Sequence, residues 1–451
     1  MAMAFSFSIL LLFSSLLSTL FSVSRLQLLG QVSDADGYLE RTFFSPASVK
    51  AGNLIRGWME DAGLKTWIDC LGNIHGRVEG RKPSAQALII GSHMDTVVDA
   101  GIFDGPLGII SALAALKVLH KNGKLGTLER PVECVCMLCF LIVCKMDHVI
   151  AFSDEEGVRF QSTFLGSAAV AGILPASALQ ISDRRGITLE GVLKENSIDI
   201  TEEKLLQLKY DPESVWAYVE VHIEQGPVLE WAGFPLGVVN GIAGQTRLKV
   251  ILGWLITMFA RKEMLQVTVR GSQGHAGTVP MSMRQDPMAA AAEMIVLLES
   301  LCKDPGNFLS FDGNCNSSTL ESLSNSLVCT VGEISTWPSA SNVMFTVDLR
   351  TIDDAGREAV IYELSSRMYQ ICDRRSVSCT INRKHDANAV ICDSELSSQL
   401  KSAAFAAMKR MRGEIQSELP VLMSGAGHDA MAISHLTKGI SKVRHVVKSN
   451  R

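Results

Sequence analysis

The chain has no basic excess: 42 Lys and Arg stand against 47 Asp and Glu, for a formal charge of −5. It therefore offers no electrostatic footprint for nucleic acid. It also has no regular cysteine framework, since its eleven cysteines are odd in number and irregularly spaced. Four of them, Cys134, Cys136, Cys139 and Cys144, crowd one stretch whose gaps hold Met, Leu, Phe, Ile and Val. Zinc knuckles carry polar turn residues there, so the stretch reads as apolar segment rather than metal site. Charge is missing before Arg25, and Ser8-Ile-Leu-Leu-Leu-Phe-Ser14 lies at the centre of that uncharged start. Residues 1–24 read as a secretory signal or signal anchor without a basic leading segment, which makes the endoplasmic reticulum the expected location. Two further apolar stretches, in 134–148 and 251–266, have cores of roughly eleven residues, short of the twenty or so that span a bilayer. What remains, with 47% hydrophobic and 20% charged residues over 451 positions, describes a globular chain long enough for two domains.

The residues that can do chemistry stand at the ends of apolar strands. Ala87-Leu-Ile-Ile90 reads as a buried strand running into Gly91-Ser-His-Met-Asp-Thr96. His93 offers a neutral imidazole to a divalent metal, and Asp95 is placed to hold its other ring nitrogen. Asp104, nine residues further on in Phe-Asp-Gly-Pro106, lies on a glycine-flanked loop before an apolar helix. Alone, His-x-Asp fits a structural histidine as well as a ligand. Val149-Ile-Ala-Phe152 is a second strand, and it leads into Ser153-Asp-Glu-Glu-Gly157. Three consecutive carboxylates repel one another unless solvent or a cation neutralises them. A solvated turn is the plain alternative, but adjacent glutamates also offer a metal ligand beside a base for water. A third strand, Val215 to Val221, ends in His222-Ile-Glu-Gln-Gly226. Together these make a dinuclear hydrolase site at the carboxyl edge of an α/β sheet the leading idea.

Helices are expected over 46–59, 108–120 and 166–171, with Asn122-Gly123 closing the second. After Gly244 the pattern changes to a strand at 267–270, a helix from 287 to 301 and strands at 327–334 and 342–350. A helix at 355–372 and a strand at 377–383 follow. This is the strand-helix-strand-strand-helix-strand order of a ferredoxin-like unit. A helix at 394–411 and a strand at 419–424 return to the first domain.

GSHMDT, DEEGVRFQSTFLGS, HIEQGPVLE, GSQGHAGTVPM, SASNVMFTVDLR and SGAGHDA occur in that order. So ordered, they resemble the metal-dependent amidohydrolases related to aminoacylase and carboxypeptidase G, over about residues 28–438. The resemblance implies a mixed-sheet α/β catalytic domain with helices on both faces, in two parts, 25–242 and 387–451. Between them it implies an inserted α+β ferredoxin-like lid and dimerisation domain, 243–386. It implies two Mn²⁺ per subunit of a homodimer, with His93 and His222 on the first ion, Asp104 bridging and Glu156 on the second. Glu155 would be the general base, and His275 would stabilise the oxyanion in the partner subunit's site. Gln225 would hold the ureido group, and Asn342 with Arg350 the substrate carboxylate. The implied reaction is hydrolysis of allantoate at a terminal ureido group, giving ureidoglycine, ammonia and carbon dioxide. Another ureido or N-carbamoyl acid is the alternative within the family, and a non-catalytic subunit the alternative outside it. Arg350 has a plainer reading too, an ion pair with Asp348 or Asp353, and His428 either lines the site wall or touches substrate.

Three features depart from the family pattern. Residues 134–148 and 251–266 interrupt motifs that the family keeps continuous, which suggests an irregular transcript. Where the family continues to Ser-His-x-Pro-x-Glu, whose histidine completes the second metal site, this chain has Gly439-Ile-Ser-Lys442. From this follow two expectations: a weakened second ion, and a sheet that has lost a neighbouring strand.

Overall fold

The computed structural model describes residues 19–82, 84–128, 132, 148–160, 162, 164–254, 279–309, 317–336, 342–412, 418–436 and 443–448. They fall into two compact units, one running to Ile242 and resuming at Ile391, the other Ala243–Val390. The first described element of the first unit is the helix Thr19–Gly30, which crosses the signal boundary expected at residue 24. Its Leu26 and Leu29 are core residues, and Arg25 donates to Asp61 at 3.0 Å.

Six strands follow: β1 (Lys65–Ile68), β2 (Ile74–Arg77), β3 (Ala87–His93), β4 (His148–Phe152), β5 (Val215–Ile223) and β6 (Leu236–Ile242). The chain then makes the second unit from β7 (Gly244–Trp254), β8 (Val328–Ser335), β9 (Val343–Thr351) and β10 (Val377–Ala387). It ends with β11 (Val390–Ile391), β12 (Val421–Ser424) and β13 (Val443–Lys448). The large sheet has the order β1-β2-β4-β3-β5-β13-β6-β11, with β12 beside β6. β3 runs parallel to both β4 and β5, so the three strands that carry the motifs are neighbours and end at one edge. β3 is buried along its whole length, as its unbroken apolar run requires.

The helices around this sheet start where their sequence says they should. Ser45 caps Pro46–Asp61 by accepting from the Ser48 amide, with proline at the first turn. Pro106–Lys121 is apolar around most of its circumference and is accordingly buried along most of its length. Its Ile109, Leu113 and Leu116 join Ile55, Met59, Ile90 and Val149 in the principal core.

The second unit is a four-stranded antiparallel sheet in the order β10-β7-β9-β8, with the helices Pro287–Lys303 and Asp354–Arg375 between strands. That order is what a ferredoxin-like unit requires. Asp286 and Asp353 cap the two helices. Cys302–Cys329 and Cys372–Cys379 are disulfides here, pairings that the irregular cysteine spacing gave no means of assigning.

Two expectations are corrected. Ile251–Trp254, counted with the second interruption, continue β7: all four pair with β10, and Ile251 and Leu252 with β9 as well. Extended β-branched and apolar residues next to Leu248 and Val250 simply prolong the strand. The strand expected at 267–270 and the cysteine-rich stretch lie outside the described residues. Second, the sheet does not lack a neighbour beside β5: Val443–Lys448 fills that place, parallel to β5 and antiparallel to β6. The segment Val-Arg-His-Val-Val-Lys is rich in β-branched residues, and strand pairing needs no more specific sequence than that.

The fit between the central helix and the sheet yields a stability prediction. A Cβ on Gly108 would fall 2.7 Å from Ser92 Cβ and closer still to the Val221 carbonyl oxygen. Helix propensity alone favours Gly→Ala by about 1 kcal/mol. Gly108→Ala should nevertheless destabilise the chain by about 1–3 kcal/mol, because the backbone on both sides must move. Urea unfolding of the two proteins measures the sign.

Candidate metal centre

The parallel register of β3, β4 and β5 brings His93, the acid turn and His222 to one edge of the sheet. His93 is the last residue of β3 and is buried, as is His222 near the end of β5. Their Nε2 atoms lie 3.2 Å apart. Each ring is fixed from behind: His93 Nδ1 sits 3.1 Å from the Asp95 carbonyl oxygen, and His222 Nδ1 3.0 Å from that of Ile223. A carbonyl can only accept, so both Nδ1 atoms carry a proton and both Nε2 atoms face the same point. Asp104 Oδ1 completes this group at 3.2 Å from His222 Nε2 and 3.9 Å from His93 Nε2.

The acid turn lies on the other side of His93. Ligand atoms of His93, Glu155 and Glu156 lie within 4.8 Å of one another, as do those of His93, Asp104 and His222. Asp95 does not play the expected part. Its carboxylate stands 3.7 Å from His93 Nδ1, beyond hydrogen-bond range. It accepts instead from the backbone amides of Glu155 at 2.9 Å and Glu156 at 3.0 Å. A carboxylate between two adjacent N–H groups makes two charge-assisted bonds, which its distant contact with the imidazole cannot match. Gln225, expected on the ureido group, donates to both oxygens of Asp104 at 3.2 and 3.0 Å.

The electrostatics mark the place as a cation site. Burial, reinforced by Asp429 and Glu156, holds Glu155 well above the usual carboxylate range. Burial with Asp95 and Asp104 nearby pushes Glu156 up to about 8. Burial pushes Glu220 up to about 7. Asp104 goes the other way: the hydrogen bond and charge of His222 outweigh its burial and lower it. Burial lowers His93, keeping it neutral. Burial acts on His222 too, but the hydrogen bond and charge of Asp104 outweigh it and raise the imidazole. Clustered carboxylates beside two imidazoles are the donor set of divalent transition ions, and the residues present fit such ions.

The other expected residues are placed as follows. His428 donates to or accepts from Ser424 Oγ at 2.8 Å, and its ring lies 4.6 Å from that of His222, so it forms the site wall. Asn342 and Arg350 belong to the second unit. Arg350 forks onto Asp348, Nε to Oδ1 at 2.9 Å and a terminal nitrogen to Oδ2 at 3.0 Å, which is the plainer of its two readings. His275 lies outside the described residues. Two buried acids near the site were not anticipated. Glu220 accepts from the Tyr218 hydroxyl and the Ala430 amide, both at 3.2 Å, and Asp429 follows His428 with its carboxylate buried. Glu220 was findable, because the two-residue period of a strand puts it on the face of His222.

Comparison with known proteins agrees with this geometry. Residues 147–446 match the model of peptidase family M20/M25/M40. Allantoate deiminase 2 of Glycine max is 69% identical over 422 residues, covering 92% of this chain and 81% of its own length. Allantoate deiminase of Arabidopsis thaliana is 67% identical over 422 residues, covering 92% and 74%. A crystal structure of a hydantoinase/carbamoylase family amidase from Burkholderia ambifaria matches with a TM-score of 0.70 at 25% identity, covering 95% of this chain and 90% of its own. With its family model matched over most of its length and its ligand-bearing strands side by side, the chain belongs to peptidase family M20/M25/M40.

Proposed function

We propose that the chain is a metal-dependent amidohydrolase that converts allantoate and water to ureidoglycine, ammonia and carbon dioxide. The observation that carries the reading is the convergence of His93, Asp104, His222, Glu155 and Glu156 at one sheet edge. Identity near 70% to two plant proteins named for allantoate supports the substrate. His93, Asp104 and His222 would hold one divalent ion, and Glu156 with Asp104 a second, Mn²⁺ suiting the mixed donors. Ions bound there supply Lewis acidity and lower the pKa of water. Glu155, buried and raised, takes the proton of the attacking water and passes it to the departing nitrogen. Gln225 holds the ureido group, and Asn342 and Arg350 the carboxylate, Arg350 exchanging Asp348 for substrate. His275 faces the oxyanion across a homodimer, and the chain enters the endoplasmic reticulum.

Assays on allantoate, ureidoglycolate and N-carbamoyl-β-alanine test the substrate directly. Preference for either of the latter two would replace the reading, and activity on none would favour the non-catalytic one. Prolonged chelation should abolish turnover, and Mn²⁺ should restore it better than Mg²⁺, which prefers all-oxygen octahedra. Atomic emission counts the ions retained and so also reads the expected weakness of the second.

The raised carboxylates give a second test. Glu156 moves from 4.5 to about 8 on folding. Its protonated form therefore stabilises the chelated protein below pH about 4.5, and that contribution is lost as pH rises through about 8. Metal, by binding the ionised form, should reverse the loss. The gap in Tm between Mn²⁺-loaded and chelated protein should widen steadily from about pH 5 to pH 8. A constant gap would place the metal elsewhere.

The dimer has its own measurement. Mixing His275→Ala with Glu155→Ala subunits should regenerate activity in hybrids, since one of the two sites then has both groups. Verified heterodimers without activity would place His275 within its own subunit or outside catalysis.

A further inference from the structure

The acid turn is held by more than Asp95. Asp154 has a φ of 61°, a left-handed conformation that a non-glycine residue keeps only when its surroundings impose it. The amides of Phe164, Leu165 and Gly166 donate to the carbonyls of Glu155, Asp154 and Ser153 at 3.3, 3.2 and 3.2 Å. At the head of the turn stands Asn73, fully buried at the close of the β1–β2 turn. Its Oδ1 accepts from the Ser153 amide at 3.0 Å, and its Nδ2 donates to Asp69 Oδ2 at 2.7 Å and to the Gly166 carbonyl at 3.3 Å.

Asn73 is itself held. Asp69 Oδ1 accepts from the amides of Leu71 and Asn73 at 2.9 and 3.0 Å. Asp69 Oδ2 lies 3.1 Å from His75 Nε2, and His75 Nδ1 lies 3.0 Å from the Tyr210 hydroxyl. Trp67 stacks on the His75 ring at 4.9 Å. The tautomer follows: Tyr210 donates to Nδ1, and Nε2–H donates to Asp69. A buried relay thus fixes the amide plane of Asn73, and Asn73 fixes the first N–H of the turn. The fit is tight from the far side too, since a Cβ on Gly166 would press on Asn73 Oδ1 and lie 2.8 Å from the Ser153 carbonyl oxygen.

We infer that Asn73 is a positioning residue that sets the backbone of Ser153–Glu156, and through it the aim of the Glu155 and Glu156 carboxylates. The inference rests on the proposed roles of those two glutamates. Asn73 touches neither substrate nor ion. Its loss costs the turn the bonds from the Ser153 amide and, at 3.2 Å, the Ser153 hydroxyl, with that to the Gly166 carbonyl, and frees a strained segment to relax.

The test combines hydrogen exchange by mass spectrometry with kinetics on Mn²⁺-loaded full-length protein. Asn73→Ala should speed exchange in peptides covering 150–160 and leave the remaining peptides unchanged. Its kcat should fall about 10–100-fold, as for other groups that orient metal ligands, with KM within about twofold. Gly166→Ala, which displaces the asparagine instead of deleting it, should give the same local pattern and serves if Asn73→Ala does not fold. Faster exchange throughout the chain, or kcat unchanged in either variant, would overturn the inference. Glu155→Gln separates the two readings: it should abolish turnover without altering exchange. If Glu155→Gln stays active, the base is misassigned, while the exchange pattern of Asn73→Ala still decides whether Asn73 sets the turn.

Discussion

The Asp95 carboxylate is the interaction on which the centre depends. It leaves the end of β3 and takes the two amides at the head of the glutamate pair, which leaves the end of β4. One side chain thereby ties two neighbouring strand ends at bond length. The Asp95 carbonyl meanwhile fixes the His93 ring. A single residue therefore sets the tautomer of His93 and the backbone position of Glu155 and Glu156. The parallel pairing of β3 with β4 brings these groups near, but pairing alone sets positions only to the precision of a loop. The two charge-assisted bonds supply the rest.

Much of this was legible in the sequence because strands and their ends are local signals. Ala87–Ile90, Val149–Phe152 and Val215–Val221 are apolar runs that stop at polar clusters, and all three are strands with those clusters at their carboxyl ends. The ferredoxin-like order was readable for the same reason, its helices opening at Asp286-Pro287 and near Asp353. What was not legible is which of several acceptors a side chain chooses. Asp95 could serve His93 or the acid turn, and only the register of β3 against β4 decides. Arg350 could serve a ligand or Asp348, two residues away on the same face of β9, where reach is assured. The β5–β6 slot filled by β13 was hidden by the opposite cause, since any β-branched segment can occupy a gap in a sheet.

The acids that the sequence reading overlooked have a physical part in the site. Glu220 and Asp429 raise the local negative potential around Glu155, which lies buried with them. A base in such a place is reluctant to ionise unless positive charge stands near. Cation binding and the ionisation of Glu155 are thus coupled, each favouring the other. The buried acids that resist ionisation in the chelated fold are the same groups that would make bound metal tight once ionised.

One fixed positive charge lies close to these acids. Arg41 is fully buried, and among the described residues no carboxylate pairs with it directly. Its Nε donates to the Met94 carbonyl at 2.7 Å, and one terminal nitrogen donates to Leu29 and Val32 at 2.8 and 3.1 Å. Burial draws it down to about 10, and the charges of Asp95 and Asp34 oppose that fall. It therefore remains a cation at neutral pH. Met94 stands between His93 and Asp95, so the guanidinium holds the backbone of that stretch. The Arg41 amide and carbonyl also pair with Thr96, through its hydroxyl at 2.9 Å and its amide at 3.0 Å. Carbonyl acceptors solve a problem that a carboxylate partner would not. A salt bridge would cancel the charge locally, whereas oriented dipoles take Nε and one terminal nitrogen, the other terminal nitrogen being buried without an acceptor among the described residues, and leave the charge acting on Asp95. Within that field the Asp95 carboxylate accepts the two amides of the acid turn, so the cation and the turn are joined through one residue.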